Sequence, residues 1–329
     1  MEVTHGGNIF AVSREHGWDW RDVLDFSASI NPLGPAPGVN EAICRGIGRI
    51  VHYPERESAT LLRALSDAWK VPAPCIVPGN GASELIHFLA GYLQAPKVTL
   101  AVPVFSEFHR AFPEAAQVPA ADPSAWPEDG LLVLTQPLNP TGTPLALESW
   151  LRRTRHPVVL DESFLEFTGL PSMALARPGL YVLRSLTKFY ALPGLRLGAL
   201  IAQDAPQMRQ TRPPWQVNVL ASEAALAALA DTAHAASTLD CVGQERAFLM
   251  HALQELPGVE PQPGCANYVF VRLAYPAQAL AAHLLQRRIL VRDCEGWPGV
   301  PSPSVRIAVR TRVENDALLR AWKEFSWRG

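Results

Sequence analysis

The stretch R184-S-L-T-K-F-Y-A-L-P-G-L-R-L-G198 decides the fold. It places Lys188 directly after an apolar, strand-like run, LYVLR (180–184), and before a Pro-Gly turn that leads into a second such run, LGALIA (197–202). A lysine met alone reads as surface charge. Here Ser185 stands three residues before it and Arg196 eight residues after it. A hydroxyl and a fixed cation are the groups that surround a phosphate dianion. Burial beside cations favours the neutral lysine amine, the form that attacks a carbonyl.

Working outward, the runs VTLAV (98–102), LLVLT (131–135) and PVVLD (157–161) repeat the pattern of short buried strands. Helical spacing separates them, as in Leu61, Leu62, Leu65 and Trp69. This predicts an α/β fold with a mostly parallel sheet flanked by helices, which binds ligands at the carboxyl ends of its strands. After TRPPWQ (211–216) the pattern changes. An alanine-rich helix is expected over 219–235 and another over about 243–255. The runs NYVFVRL (267–273), ILVR (289–292) and SVRIAVR (304–310) read as strands, and 314–327 as a final helix. The expected division is an N-terminal arm (1–35), a large domain (36–216) and a smaller α+β domain (217–329).

Composition narrows the function. In 329 residues, 48% hydrophobic content supplies a core, and a net charge of -2 gives no electrostatic case for nucleic acid. Cysteines 44, 75, 241, 265 and 294 form no CxxC pair, so free thiols in a reducing cytoplasm are expected. No export signal or apolar membrane span is read. Nine histidines occur without HExxH or similar spacing, so no metal site is expected. The partner is therefore expected to be a small molecule.

Three further segments lie where the sheet would present ligands. PVVLDESF (157–164) ends a strand on Asp161, which either caps the next helix or pairs with a protonated pyridine nitrogen. In QPLNPTG (136–142), Asn139 either starts the turn or donates to a ring oxygen. GNGASELIHFLAG (79–91) opens a helix at Ala82 and Ser83 behind two glycines. That start is either an ordinary helix cap or a seat for phosphate.

Taken in order, GNGAS, NPTG, LDESF and SLTK resemble the fold-type-I pyridoxal-phosphate (PLP) enzymes, in the branch that contains histidinol-phosphate aminotransferase. The resemblance covers nearly the whole chain. It implies pyridoxal 5'-phosphate as cofactor, with Lys188 as the lysine that holds it, Asp161 on the pyridine nitrogen and Asn139 on the ring hydroxyl. It also implies that Ala82, Ser83, Ser185 and Arg196 bind the phosphate, that Phe105 stacks on the ring, and that Tyr53 reaches a phosphate across a homodimer.

Within the branch, HGGNI (5–9), LDFSASINPLGP (24–35) and VRTRVEN (309–315) look most like the threonine-phosphate decarboxylases of cobalamin biosynthesis. That resemblance implies that His5, Gly6, Asn31 and Asn139 line the substrate, and that Arg292 and Arg306 bind its anionic groups. The product would be aminopropanol phosphate. Histidinol-phosphate aminotransferase and a phosphoserine decarboxylase are the alternatives. Two places depart from the pattern: Leu138-Asn139 replaces an asparagine pair, and GNGAS lacks a second acidic residue.

Overall fold

A computed structural model describes residues 6–327. They form two compact units, one of residues 34–136 and 145–237, the other of residues 6–33, 137–144 and 238–327.

The first unit is built on a seven-stranded sheet. Its order is Ile76–Gly79, Gly198–Ile201, Leu180–Ser185, Val158–Asp161, Leu131–Thr135, Val98–Val102 and Ala116–Pro119. Gly198–Ile201 runs antiparallel to both neighbours, and the other pairings are parallel. Every residue of the three central strands is buried. That is why their sequences are continuous apolar runs without alternation: helices cover both faces. One side of the core joins Leu85 and Leu89 of the helix Ala82–Leu93 to Leu100, Leu131, Val133, Val159 and Leu183. Each such side chain stabilises the fold by roughly 1.5–3 kcal/mol. Register aligns Thr135 with Asp161 and Asp161 with Leu183, so two strands end level and the third runs two residues further, to Ser185.

The alanine-rich helix spans Val219–Ala230 and belongs to this unit. The composition change after TRPPWQ predicts it in the C-terminal domain, and its packing differs. Its close partner is the helix Gly38–Ile47, where a Cβ on Gly46 would stand 3.1 Å from Leu220. The expected helices over 219–235 and 243–255 are redrawn: a break at Asp231 is followed by one helix, Thr232–Gln254. The Asp231 carboxylate accepts from His234 N at 2.8 Å and so caps the second helix.

The second unit carries a four-stranded antiparallel sheet, ordered Arg292–Asp293, Ser304–Ala308, Tyr268–Leu273 and Val259–Gln262. Helices Ala277–Leu285 and Arg312–Lys323 complete a core of Val269, Val271, Val305, Ile307, Leu280 and Leu318. The last helix starts earlier than expected because Thr311 and Glu314 form a reciprocal capping box. The ILVR run splits. Ile289–Leu290 pairs with Leu24–Asp25 of the N-terminal segment, and Arg292–Asp293 pairs with Ser304–Ala308. Residues 137–144 belong to this unit because Gly142, at φ +73°, lies against Gly264, and Cys265 N donates to Gly142 O at 2.9 Å.

Candidate active site

The strand Leu180–Ser185 delivers Ser185 and then a tight turn over residues 186–190. Ser185 Oγ lies 2.7 Å from Thr187 Oγ1 and accepts from Thr187 N at 3.3 Å. These bonds pin the turn that carries Lys188. The lysine is half-buried, with Nζ 5.9 Å from the centre of the Phe164 ring. On the adjacent strand Asp161 is 5% exposed, and its Oδ1 accepts from Ser163 N at 2.9 Å. Burial pushes its pKa up, while the Ser163 hydrogen bonds and the Lys188 charge pull it down. A carboxylate in this setting gains from a nearby cationic N–H.

Gly79, Gly81 and Gly198 allow a close backbone junction beside the helix Ala82–Leu93. Gly81 sits at φ +87° before the helix Ala82–Leu93, and no side chain caps that helix start. A Cβ on Gly81 would stand 2.7 Å from Arg196 Nη2, so the guanidinium lies against the helix entrance. A Cβ on Gly198 would stand 2.8 Å from Ala82 N. Gly198 is also the register partner of both Gly79 and Ser185. Uncapped amides at the helix start and the Arg196 guanidinium thus meet where Gly198 pairs with Gly79 and Ser185, with Ser83 following in the first helical turn, a donor set that fits a phosphate dianion. Glu84, in the first turn, does not oppose this. Its carboxylate is paired with Arg212 at 2.8 Å and accepts from Asn80 N at 3.1 Å.

Phe105 is half-buried, precedes the helix Ser106–Ala111 and packs against the sheet core. Tyr53 is 80% exposed and stacks on Trp215 at 4.7 Å.

In the second unit Arg306 is buried. Nη1 donates to Asn139 Oδ1 and Nη2 to Ser27 O, each at 2.8 Å, while Nε has no partner among the described residues. Arg292 is its direct cross-strand partner, also buried, with its guanidinium 5.2 Å from the Trp297 ring centre. Burial pushes both arginines below their ordinary pKa, and for Arg292 the neighbouring Arg306 adds to the effect. Among the described residues no carboxylate lies within ion-pair distance of either. Two desolvated like charges side by side call for an anion.

Gly6 presses on the same corner, since a Cβ there would stand 2.4 Å from Ser27 O, and Gly7 N donates to Ser27 Oγ at 3.0 Å. Asn31 is buried, with Nδ2 donating to Thr238 Oγ1 at 2.8 Å and Oδ1 accepting from Leu33 N at 3.0 Å. His5 lies outside the described residues. Sequence reasoning missed Ser27, whose contribution is a backbone carbonyl, and Thr187, whose place beside Lys188 was its signal.

The model of the aminotransferase class I and II family matches residues 21–321. The chain belongs to this family. Threonine-phosphate decarboxylase of Salmonella typhimurium is 35% identical, over 96% of this chain and 95% of that protein. Histidinol-phosphate aminotransferase of Moorella thermoacetica is 30% identical, over 97% and 89%. The structure of L-threonine-O-3-phosphate decarboxylase from Porphyromonas gingivalis superposes with a TM-score of 0.80 at 26% identity, covering 92% of this chain and 98% of that one. As an aminotransferase-family member, the chain has the fold-type-I PLP architecture that the four motifs implied. No described helix is long and apolar enough to cross a membrane.

Proposed function

We propose that this chain decarboxylates O-phospho-L-threonine to aminopropanol phosphate. The observation that carries the reading is the 35% identity to threonine-phosphate decarboxylase over nearly the full length of both chains. The buried, unneutralised pair Arg292 and Arg306 supports it, because a phosphoamino acid offers two anionic groups and guanidinium forks recognise such groups bidentately.

The cofactor of this aminotransferase-family enzyme is pyridoxal 5'-phosphate. When bound, it supplies an electron sink for the bond broken at the substrate α-carbon. The chain's own residues do the rest. Lys188 would hold the cofactor and, when its amine is free and protonated, would deliver a proton to the substrate α-carbon. Asp161 would hold a proton on the cofactor's ring nitrogen. Asn139, its Oδ1 occupied by Arg306, is left with its amide N–H groups to donate to the ring oxygen and to substrate. The amides of Ala82 and Ser83, the Ser83 and Ser185 hydroxyls and Arg196 bind the phosphate, and Phe105 packs beside the ring. Gly6, Asn31, Arg292 and Arg306 form the substrate side, with His5 joining them. We further infer a cytoplasmic homodimer in which Tyr53, exposed beside Trp215, reaches the partner subunit's cofactor phosphate.

The test is incubation of PLP-loaded protein with O-phospho-L-threonine and no keto acid, following carbon dioxide and aminopropanol phosphate. Release at a catalytic rate is expected. No release, with glutamate formed from histidinol phosphate and 2-oxoglutarate, would overturn the reading in favour of transamination.

A further inference from the structure

The strands Val158–Asp161 and Leu180–Ser185 lie side by side, and the chain leaving the first packs on the turn leaving the second. The Phe164 ring centre lies 5.9 Å from Lys188 Nζ, and the Phe167 ring centre 5.1 Å from that of Phe189. Burial, and then the charge of Glu166, raise the pKa of Tyr190. The same two segments share a buried ion pair. Arg184 brings Nη2 to 2.8 Å from Glu166 Oε1, with the two side chains 8% and 10% exposed. The Arg184 guanidinium also covers the ring of Trp69, the last residue of the helix Ala59–Trp69, at 4.7 Å. Neither Glu166 oxygen nor Arg184 Nε has a hydrogen bond among the described residues. Glu162, the other buried acid here, is committed to Ser172 Oγ and Met173 N.

An ion pair with so few hydrogen bonds adds little to stability. Taking each charge out of water costs several kcal/mol, and an apolar pair of similar volume is often as stable or more so. What the pair supplies is a fixed geometry, because a planar guanidinium held between a carboxylate and a ring face has one setting. Its members stand four residues before Lys188 and five after Asp161. We propose that Arg184 and Glu166 are positioning residues, which lock the exit of the Asp161 strand to the Lys188 turn and so fix how those two groups meet one cofactor ring. This rests on the assignment of Lys188 and Asp161 to the cofactor, and on neither the substrate nor the reaction.

Removing one partner would strand the other charge, so the experiment removes both. PLP-loaded wild type is compared with the double variant Arg184→Met, Glu166→Leu by circular dichroism in the visible band of the bound cofactor, a signal that requires the protein to hold the ring in one asymmetric setting. Turnover is measured alongside, on whichever substrate wild type uses. The double variant should melt no lower than wild type and bind cofactor with the same stoichiometry, yet lose most of the visible circular dichroism. Its kcat should fall roughly 100-fold, the scale of a misplacement of about 1 Å, with KM little changed. Glu166→Asp keeps both charges and withdraws the carboxylate by a methylene; it should show the same losses in smaller measure, and it decides the matter if the double variant does not fold. Wild-type visible circular dichroism and kcat in the substituted proteins would overturn the inference alone. A wild-type protein with no visible cofactor band would overturn it together with the Lys188 assignment.

Discussion

Replacing Gly198 with alanine tests whether the cofactor seat is the backbone junction described above. The added Cβ would meet Ala82 N at 2.8 Å, Gly81 C at 2.9 Å and Arg184 O at 3.1 Å. All three contacts are backbone, so no side-chain rotation relieves them, and the strand must move away from the helix entrance. Overpacking of this kind costs about 1–3 kcal/mol. If the strain falls on the phosphate seat, cofactor affinity drops roughly 5- to 150-fold. Gly91→Ala is the control. It lies in the same helix, Ala82–Leu93, with nothing within 4 Å of the new Cβ. It should keep wild-type affinity and gain about 0.5–1 kcal/mol of stability. Equilibrium dialysis against pyridoxal phosphate and thermal melts of both forms measure these effects. A Gly198→Ala protein that binds cofactor like wild type would refute the reasoning.

Three other outcomes are expected. Lys188→Ala should lose turnover and the visible absorbance of the bound cofactor while keeping a native circular dichroism spectrum; an active variant would remove the assignment. Arg306→Gln should raise KM roughly 10- to 150-fold, the loss of a charge-assisted hydrogen bond, as steady-state kinetics would show. Glu162 is fully buried, accepts from Ser172 Oγ and Met173 N, and is pushed by burial from 4.5 to about 7. The folded chain therefore holds a proton that the unfolded chain releases, so stability should fall as pH rises from about 4.5 to about 7. Glu162→Gln should flatten that slope in denaturant titrations, and an unchanged slope would show that other groups set it.

Much of the sheet was legible because LLVLT, PVVLD and LYVLR are buried on both faces, and burial of that kind writes an uninterrupted apolar run. The turn after LYVLR was legible for a chemical reason, since Ser185, Lys188 and Arg196 lie within one short stretch. Long-range partner choice was not. Nothing local in ILVR says that Ile289 pairs with Leu24 while Arg292 pairs with Arg306. The break at Asp231 is hidden by alanines on both sides and arises from a single cap. The grouping of NPTG with the C-terminal strands depends on close backbone contact between Gly142 and Gly264, and two glycines carry no side-chain signal of their meeting. Ser27 escaped notice because it acts through its carbonyl.

The facing arginines at 292 and 306 also bear on how long the molecule survives. Their repulsion is a standing penalty on the folded chain, relieved whenever an anion lies between them. A ligand held by the folded form alone adds about 2.7 kcal/mol at a hundred times its dissociation constant. On the proposed function, supply of the phosphoamino acid would then set the abundance of the protein as well as its speed, because the unliganded chain opens more often and is degraded sooner. Half-lives under limited proteolysis, measured with and without phosphothreonine, should differ in wild type and converge in Arg306→Gln.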